Sequence, residues 1–278
     1  MSKSQMVDLV KIYKNRFRDR CFTFDKSVRL SHCDMPHRID HFCTARRGEL
    51  YAKQFIGERD FDMVFAVDAS SSQMFGSAEA KIDFALKLVD KLSNVACKVG
   101  DRAGLILFSE GVDFYKPACT NPHVPDLKNR KFGVKSDPGV VVKFLQNTLK
   151  CSSVVFFISD FLYPDKIRDS LIGAFRTLAR RHDFVCVWLR DRVDVAIPAV
   201  GKLRVQDAES LDCLCCDPNN RRFSNIYGDI HAKWAGKLCR DVEKAGLKLV
   251  TIDGGCAIEL AIKKCLDKHL HARKRCDI

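Results

Sequence analysis

Met63-Val-Phe-Ala-Val67-Asp68-Ala-Ser70-Ser-Ser72, followed closely by Phe75-Gly76, joins an apolar run to a polar loop and so sets the architecture of this chain. Five consecutive apolar residues match a strand buried on both faces, and the polar cluster behind them marks its carboxyl end. An aspartate followed at two-residue intervals by two hydroxyls lets one tight loop aim three oxygens at a point. A hard divalent cation accepts that arrangement. The same residues also suit a loop that caps the next helix, since Asp and Ser are favoured N-cap residues.

Outward from this stretch, apolar strands alternate with helix-length amphipathic segments, the pattern of a parallel sheet covered on both faces. Strands are expected at 62–67, 103–108, 153–159, 183–189 and 247–252, with a hairpin arm near 111–116. Ile82, Leu86, Val89 and Leu92 line one face of a helix over 81–96, and 165–180 and 221–245 are further helix-length segments. Ile258, Ile262, Cys265 and Leu266 mark a closing helix after a turn at Gly254-Gly255. Residues 191–218 interrupt the alternation, with Leu203 to Val205 read as an edge strand. On the amino-terminal side, Met6, Leu9, Val10, Tyr13 and Phe17 follow helical spacing over 5–18, ahead of short extended pieces reaching Arg59. The expected architecture is therefore α/β: a doubly wound, mostly parallel sheet over 61–278, with a small accessory region over 1–60.

Open α/β sheets bind ligands outside the carboxyl ends of their strands, where the strand order reverses. The run Val154 to Ile158 ends in Ser159-Asp160, which supplies a second carboxylate at a strand end. If the two strands are neighbours, Asp68, Ser70, Ser72 and Asp160 converge. Ser136, in the loop Lys135-Ser136-Asp137-Pro138, is a candidate fifth oxygen. A hydroxyl or carboxylate ahead of proline also fits simple capping of the following helix.

At 278 residues the chain can bury about three quarters of its unfolded surface, enough for one large domain. Forty-seven Lys and Arg against 35 Asp and Glu leave a formal charge of +12, which admits nucleic acid, anionic lipid or an acidic protein as company. The basic tail Lys268 to Arg275 reads as a solvated helix end. Fourteen cysteines with no signal peptide suggest thiols in a reducing compartment, mostly buried, and no apolar run approaches the roughly twenty residues of a membrane span. A cytoplasmic location is expected.

Other constellations carry less. His32, Cys33, His37, His41 and Cys43 crowd together without a Cys-x-x-Cys pair, and Cys213, Cys215 and Cys216 share that difficulty as zinc or iron-sulfur ligands. Gly236-Lys237 runs into Leu238 without a phosphate-cradling loop. No Gly-x-Ser-x-Gly elbow exposes Ser70 or Ser72 as a nucleophile.

Asp-x-Ser-x-Ser with a second-loop hydroxyl and a later Ser-Asp is similar to the metal-ion-dependent adhesion site of von Willebrand factor A domains. More closely, the chain resembles the bacterial "domain of unknown function fifty-eight" family, proteins of this kind encoded beside MoxR-type AAA+ ATPases. His37-Arg38-Ile39-Asp40-His41, Ala45-Arg46-Arg47-Gly48, the metal loop with Phe75-Gly76, Gly100-Asp101-Arg102-Ala103-Gly104-Leu105, Ile158-Ser159-Asp160-Phe161 and Leu189-Arg190-Asp191 carry that resemblance. His41 departs from it, standing where the family has tryptophan, as does Cys33-Asp34-Met35, where it has Gly-Asp-Asp.

The resemblance places Ser136 at the family's second-loop threonine. It implies a von Willebrand factor A or Rossmann-like fold and a non-enzymatic, metal-dependent interaction module. A cation, Mg²⁺ or Mn²⁺ with Ca²⁺ as the third choice, would be held by Asp68, Ser70, Ser72, Ser136 and Asp160. One position would stay open for a partner's carboxylate, and the implied partner is a MoxR-type AAA+ ATPase in assembly or maturation of other proteins. The alternatives are a basic nucleic-acid-binding protein, with Lys11 to Phe24 as its one basic-aromatic segment, and a hydrolase using the cation to activate water.

Overall fold

The computed structural model describes residues 3–17, 23–29, 39–56, 62–119, 136–206 and 212–268. In chain order its elements are α1 (Lys3–Phe17), β1 (Thr23–Arg29), α2 (His41–Arg47), β2 (Tyr51–Ile56), β3 (Asp62–Asp68), α3 (Lys81–Cys97), β4 (Arg102–Phe108) and β5 (Val112–Ala118). They continue with α4 (Pro138–Thr148), β6 (Val154–Ser159), α5 (Asp165–Leu178), β7 (Asp183–Arg190) and α6 (Arg192–Val195). The last are β8 (Leu203–Gln206), β9 (Cys213–Cys216), α7 (Arg221–Lys244), β10 (Lys248–Asp253) and α8 (Ile258–Lys268).

Six strands form one sheet in the order β10-β7-β6-β3-β4-β5, parallel throughout except for the antiparallel edge strand β5. The opening apolar run is its centre. Met63, Phe65 and Val67 point into a core shared with Leu88, Leu92 and Ile262, whereas Val64 and Ala66 point into a second core with Val141, Phe175 and Leu238. With helices α1, α3 and α8 on one face and α4, α5 and α7 on the other, neither face of β3 meets water. That is why the run is continuously apolar rather than alternating. The doubly wound α/β class expected from the sequence is the one the chain adopts.

Helix α1 packs on the face that carries α3 and α8, where Leu9 and Tyr13 are buried and the Tyr13 hydroxyl donates to Asp101 Oδ2 at 2.5 Å. Asp40 caps α2 by accepting from the Cys43 amide at 3.0 Å and also accepts from Ser27 Oγ, tying β1 to that turn.

One expectation is refined and two are corrected. The Leu203 to Val205 strand exists but lies outside the main sheet, as β8 paired antiparallel with β9 in a separate ribbon. The thiols are not mostly buried: among the described cysteines only Cys186 and Cys265 are, while Cys119, Cys151, Cys213, Cys215 and Cys239 are exposed. Tyr13, one of four aromatics in the basic-aromatic segment Lys11 to Phe24, is fully buried and cannot stack on a base. His32, Cys33 and His37 and the tail beyond Lys268 lie outside the described residues.

Candidate metal centre

The chain leaves β3 for β4 on one side and returns through β6 on the other, so the strand order reverses between β3 and β6. Those two strands pair in parallel, with Val67 opposite Ile158. Their carboxyl ends therefore open side by side. Asp68, Ser70, Ser159 and Asp160 are all buried at that opening, each at most 2% exposed.

Asp68 is held from several directions. Its Oδ1 accepts from the Ser70 amide at 3.0 Å and from Ser136 Oγ at 3.3 Å. Its Oδ2 accepts from Ser159 Oγ at 3.0 Å and from the Tyr163 hydroxyl at 2.5 Å. Burial, with the nearby Asp160 charge adding to it, pushes the Asp68 carboxyl above its usual range despite these donors. Burial and the Asp68 charge likewise push the Tyr163 phenol well up, so it remains a protonated donor. An ionised Asp68 thus gains from any cation brought to it.

The hydroxyls are spaced as ligands would be. Ser70 Oγ and Ser72 Oγ are 3.1 Å apart. Neighbouring oxygens of an octahedron with bonds near 2.1 Å would be about 3.0 Å apart. Ser136 Oγ keeps nearly the same separation from both Asp68 oxygens, at 3.3 and 3.4 Å. The donor set is hydroxyl and carboxylate oxygen only, the chemistry that hard cations select. These residues fit a small divalent ion.

The capping alternatives resolve at the same place. Helix α3 has Ala80 as its N-cap with no side-chain bond, and Ser70, which precedes a short 3₁₀ turn over Ser71–Met74, makes no capping bond either. In the second loop Asp137 is the cap of α4, accepting from the Gly139 amide, with Pro138 in the first turn. Capping occupies Asp137 and leaves Ser136 facing Asp68. Gly76 is required where the chain turns after the 3₁₀ segment, since a Cβ there would lie 1.8 Å from the Glu79 carbonyl oxygen.

Asp160 is engaged on both oxygens. Oδ1 accepts from the Leu162 amide at 3.2 Å, and Oδ2 accepts from Lys81 Nζ at 3.2 Å. Lys81 also reaches Asp194 Oδ2 at 2.8 Å and is only 6% exposed. Burial opposes its charge, but Asp160 and Asp194 outweigh that and hold its pKa above the ordinary value. Beside it, Asp191 accepts from the Ser77 amide at 2.9 Å and Ser77 Oγ at 3.0 Å, while Asp191 and Asp194 form a capping box on α6. Burial works against the Asp191 charge, yet the amide and hydroxyl donors and Lys81 leave its carboxyl below the usual range.

The structure brings Asp68, Ser70, Ser72, Ser136 and Asp160 to one crevice. Sequence reasoning missed Ser159, Tyr163, Lys81 and Asp194, which hold those residues in place. Ser159 and Tyr163 flank Asp160 in sequence and were within reach of the motif argument, whereas no spacing rule points to Lys81 or Asp194. Among the described residues no group of three or more His, Cys, Asp or Glu is arranged to hold a metal, so Cys213, Cys215 and Cys216 do not form one.

Residues 29–233 match the family described as "Protein of unknown function DUF58". The uncharacterized protein Rv1480 of Mycobacterium tuberculosis is 28% identical over 186 residues, covering 64% of this chain and 57% of the relative. The chain thus spans less than two thirds of the curated relatives it matches. Among solved structures it is similar to an aerotolerance-related membrane protein from Bacteroides fragilis, at 14% identity and a TM-score of 0.48, covering 75% of this chain and 98% of the other. It is also similar to proximal thread matrix protein 1 of the mussel byssus with a zinc-occupied MIDAS motif, at 15% identity and a TM-score of 0.36, covering 48% and 38%. Among the described residues no helix is long and apolar enough to cross a membrane.

Proposed function

This chain belongs to the DUF58 family, and on that footing we propose that it is a non-enzymatic, divalent-metal-dependent protein-interaction module. The carrying observation is the cluster of oxygens at the β3 and β6 ends, where Ser70 and Ser72 stand 3.1 Å apart and Ser136 stands 3.3 Å from Asp68. Asp68, Ser70, Ser72, Ser136 and Asp160 would hold Mg²⁺ or Mn²⁺. Bound there, the ion supplies a Lewis-acidic position that accepts a carboxylate from outside the chain.

The chain's own groups favour holding over turnover. Asp68 has its oxygens committed to the Ser70 amide, Ser136, Ser159 and Tyr163, and Asp160 has both committed to Leu162 and Lys81. These bonds fix both carboxylates in orientation, as ligands of a cation require. The resemblance to proteins encoded beside MoxR-type AAA+ ATPases supports such an ATPase as the partner, with the pair acting in assembly or maturation of other proteins.

Calorimetric titration of MgCl₂ and MnCl₂ into the wild type and Asp68→Ala, followed by capture of a purified MoxR-type ATPase with and without chelator, tests this reading. Metal uptake and capture should both be lost in Asp68→Ala, and capture should be lost in chelator. Capture indifferent to both treatments would sink it.

A further inference from the structure

Three apolar side chains stand exposed on the two loops that carry the candidate ligands. Met74 (41%) and Phe75 (51%) follow Ser70 and Ser72, and Leu162 (49%) follows Asp160. Because β3 and β6 are hydrogen-bonded neighbours, the loops leave the sheet about 4.8 Å apart.

Their backbones are anchored. Phe161 adopts φ +56°, a left-handed conformation that a bulky residue with a Cβ disfavours. It is held there by three bonds: the Phe161 amide donates to Ser159 Oγ at 3.0 Å, the Leu162 amide to Asp160 Oδ1 at 3.2 Å, and the Tyr163 amide to the Phe161 carbonyl at 2.8 Å. As a result the Phe161 ring turns into the core, 5.7 Å from Phe157, and Leu162 turns outward beside Asp160. Phe75 is pinned similarly, its carbonyl accepting from the Lys81 amide at 3.1 Å ahead of the tight turn at Gly76. Anchored loops that hold Met74, Phe75 and Leu162 exposed beside the oxygen cluster point to contact with another surface.

The charges select what that surface carries. Lys81 offsets only part of the Asp160 charge, since it is shared with Asp194. A divalent cation in the crevice would meet Asp68, Asp160 and neutral hydroxyls, and a position left open on it would take an anionic oxygen. Resting on the metal-site reading above, we propose that the partner presents an acidic side chain flanked by aliphatic or aromatic residues. The carboxylate takes the open position on the cation, and the flanking groups cover Met74, Phe75 and Leu162.

Two labelled short peptides test this, one with a central glutamate between leucines and phenylalanines and the other with the same glutamate between serines. In Mg²⁺ the apolar-flanked peptide should bind about tenfold tighter, from covering roughly half of one large apolar side chain or more. Phe75→Ser and Leu162→Ser should each cut that preference severalfold while calorimetric Mg²⁺ uptake stays as in the wild type, and chelator should abolish binding of both peptides. Equal binding of the two peptides, or a preference that survives chelator or the paired serine variants, overturns the inference and leaves the metal site standing. Absence of Mg²⁺ uptake without any peptide overturns the underlying reading as well. A Mg²⁺-dependent dimer in light scattering that Phe75→Ser splits would give the rim to a second copy of this chain and overturn the proposal.

Discussion

Lys81 Nζ lies 3.2 Å from Asp160 Oδ2 inside the crevice, and both side chains are almost fully withdrawn from water. The first turn of α3 thereby delivers a fixed cation to a carboxylate at the end of β6. The same ammonium reaches Asp194 at the start of α6, so one side chain ties three segments together.

Replacing that ammonium leaves two carboxylates without their counter-charge. Lys81→Met should destabilise the chelated protein by about 3 kcal/mol, the range for breaking a buried pair by removing one partner. A divalent cation can restore part of the missing charge, so Mg²⁺ should raise the melting temperature of Lys81→Met more than that of the wild type. Equal increments in thermal melts would show that Lys81 and the cation do not share Asp160.

The two residues of the second loop should separate cleanly. Asp137→Ala removes the α4 cap and should cost about 1 kcal/mol of stability while leaving metal affinity intact. Ser136→Ala removes the hydroxyl facing Asp68 and should weaken Mg²⁺ binding with little change in stability. Urea denaturation and calorimetry on both variants check the pair; matching profiles would contradict the assignment.

Tyr163 is a structural donor to Asp68. Tyr163→Phe keeps the ring but deletes the 2.5 Å bond, leaving Asp68 Oδ2 with Ser159. A hydrogen bond to a charged group contributes about 1.5–3 kcal/mol, and urea denaturation in chelator should show a loss in that range.

Asp191 sets a pH dependence. Its folded pKa lies below the ordinary carboxylate value, so its stabilising contribution is present above about pH 4 and is lost as pH falls through the depressed value. The stability gap between wild type and Asp191→Asn should therefore be largest near neutrality and shrink below about pH 4. A gap that stays constant into acid would show that the Ser77 and Lys81 contacts do not act on its charge.

Much of the fold was legible because its signals are local. The Met63 to Val67 run, the Lys81 to Ala96 stripe and the amphipathic 165–180 segment each carry their period within one element, and all three appear as expected apart from shifts of a few residues at their ends. Leu203 to Val205 was read as an edge strand without a partner because a four-residue strand carries no record of what it pairs with, and β9 lies several residues further along the chain. The cysteines were misjudged because apolar character favours burial without dictating which face of α7 or β9 a thiol occupies. Phe161 could not be foreseen as left-handed, since that conformation follows from three bonds to Ser159, Asp160 and Tyr163 rather than from its own preference.

The alternation of buried strands and amphipathic helices, and the residue types at the ends of β3 and β6, are local properties of the chain, because side-chain periodicity and loop chemistry depend on neighbours in sequence. Folding alone makes β3 and β6 adjacent, turns Ser136 toward Asp68 while Asp137 caps α4, and shares Lys81 between Asp160 and Asp194. Strand order and ion pairing join residues tens of positions apart. No local pattern encodes that closeness, which arises only when the two apolar faces of the sheet are covered together.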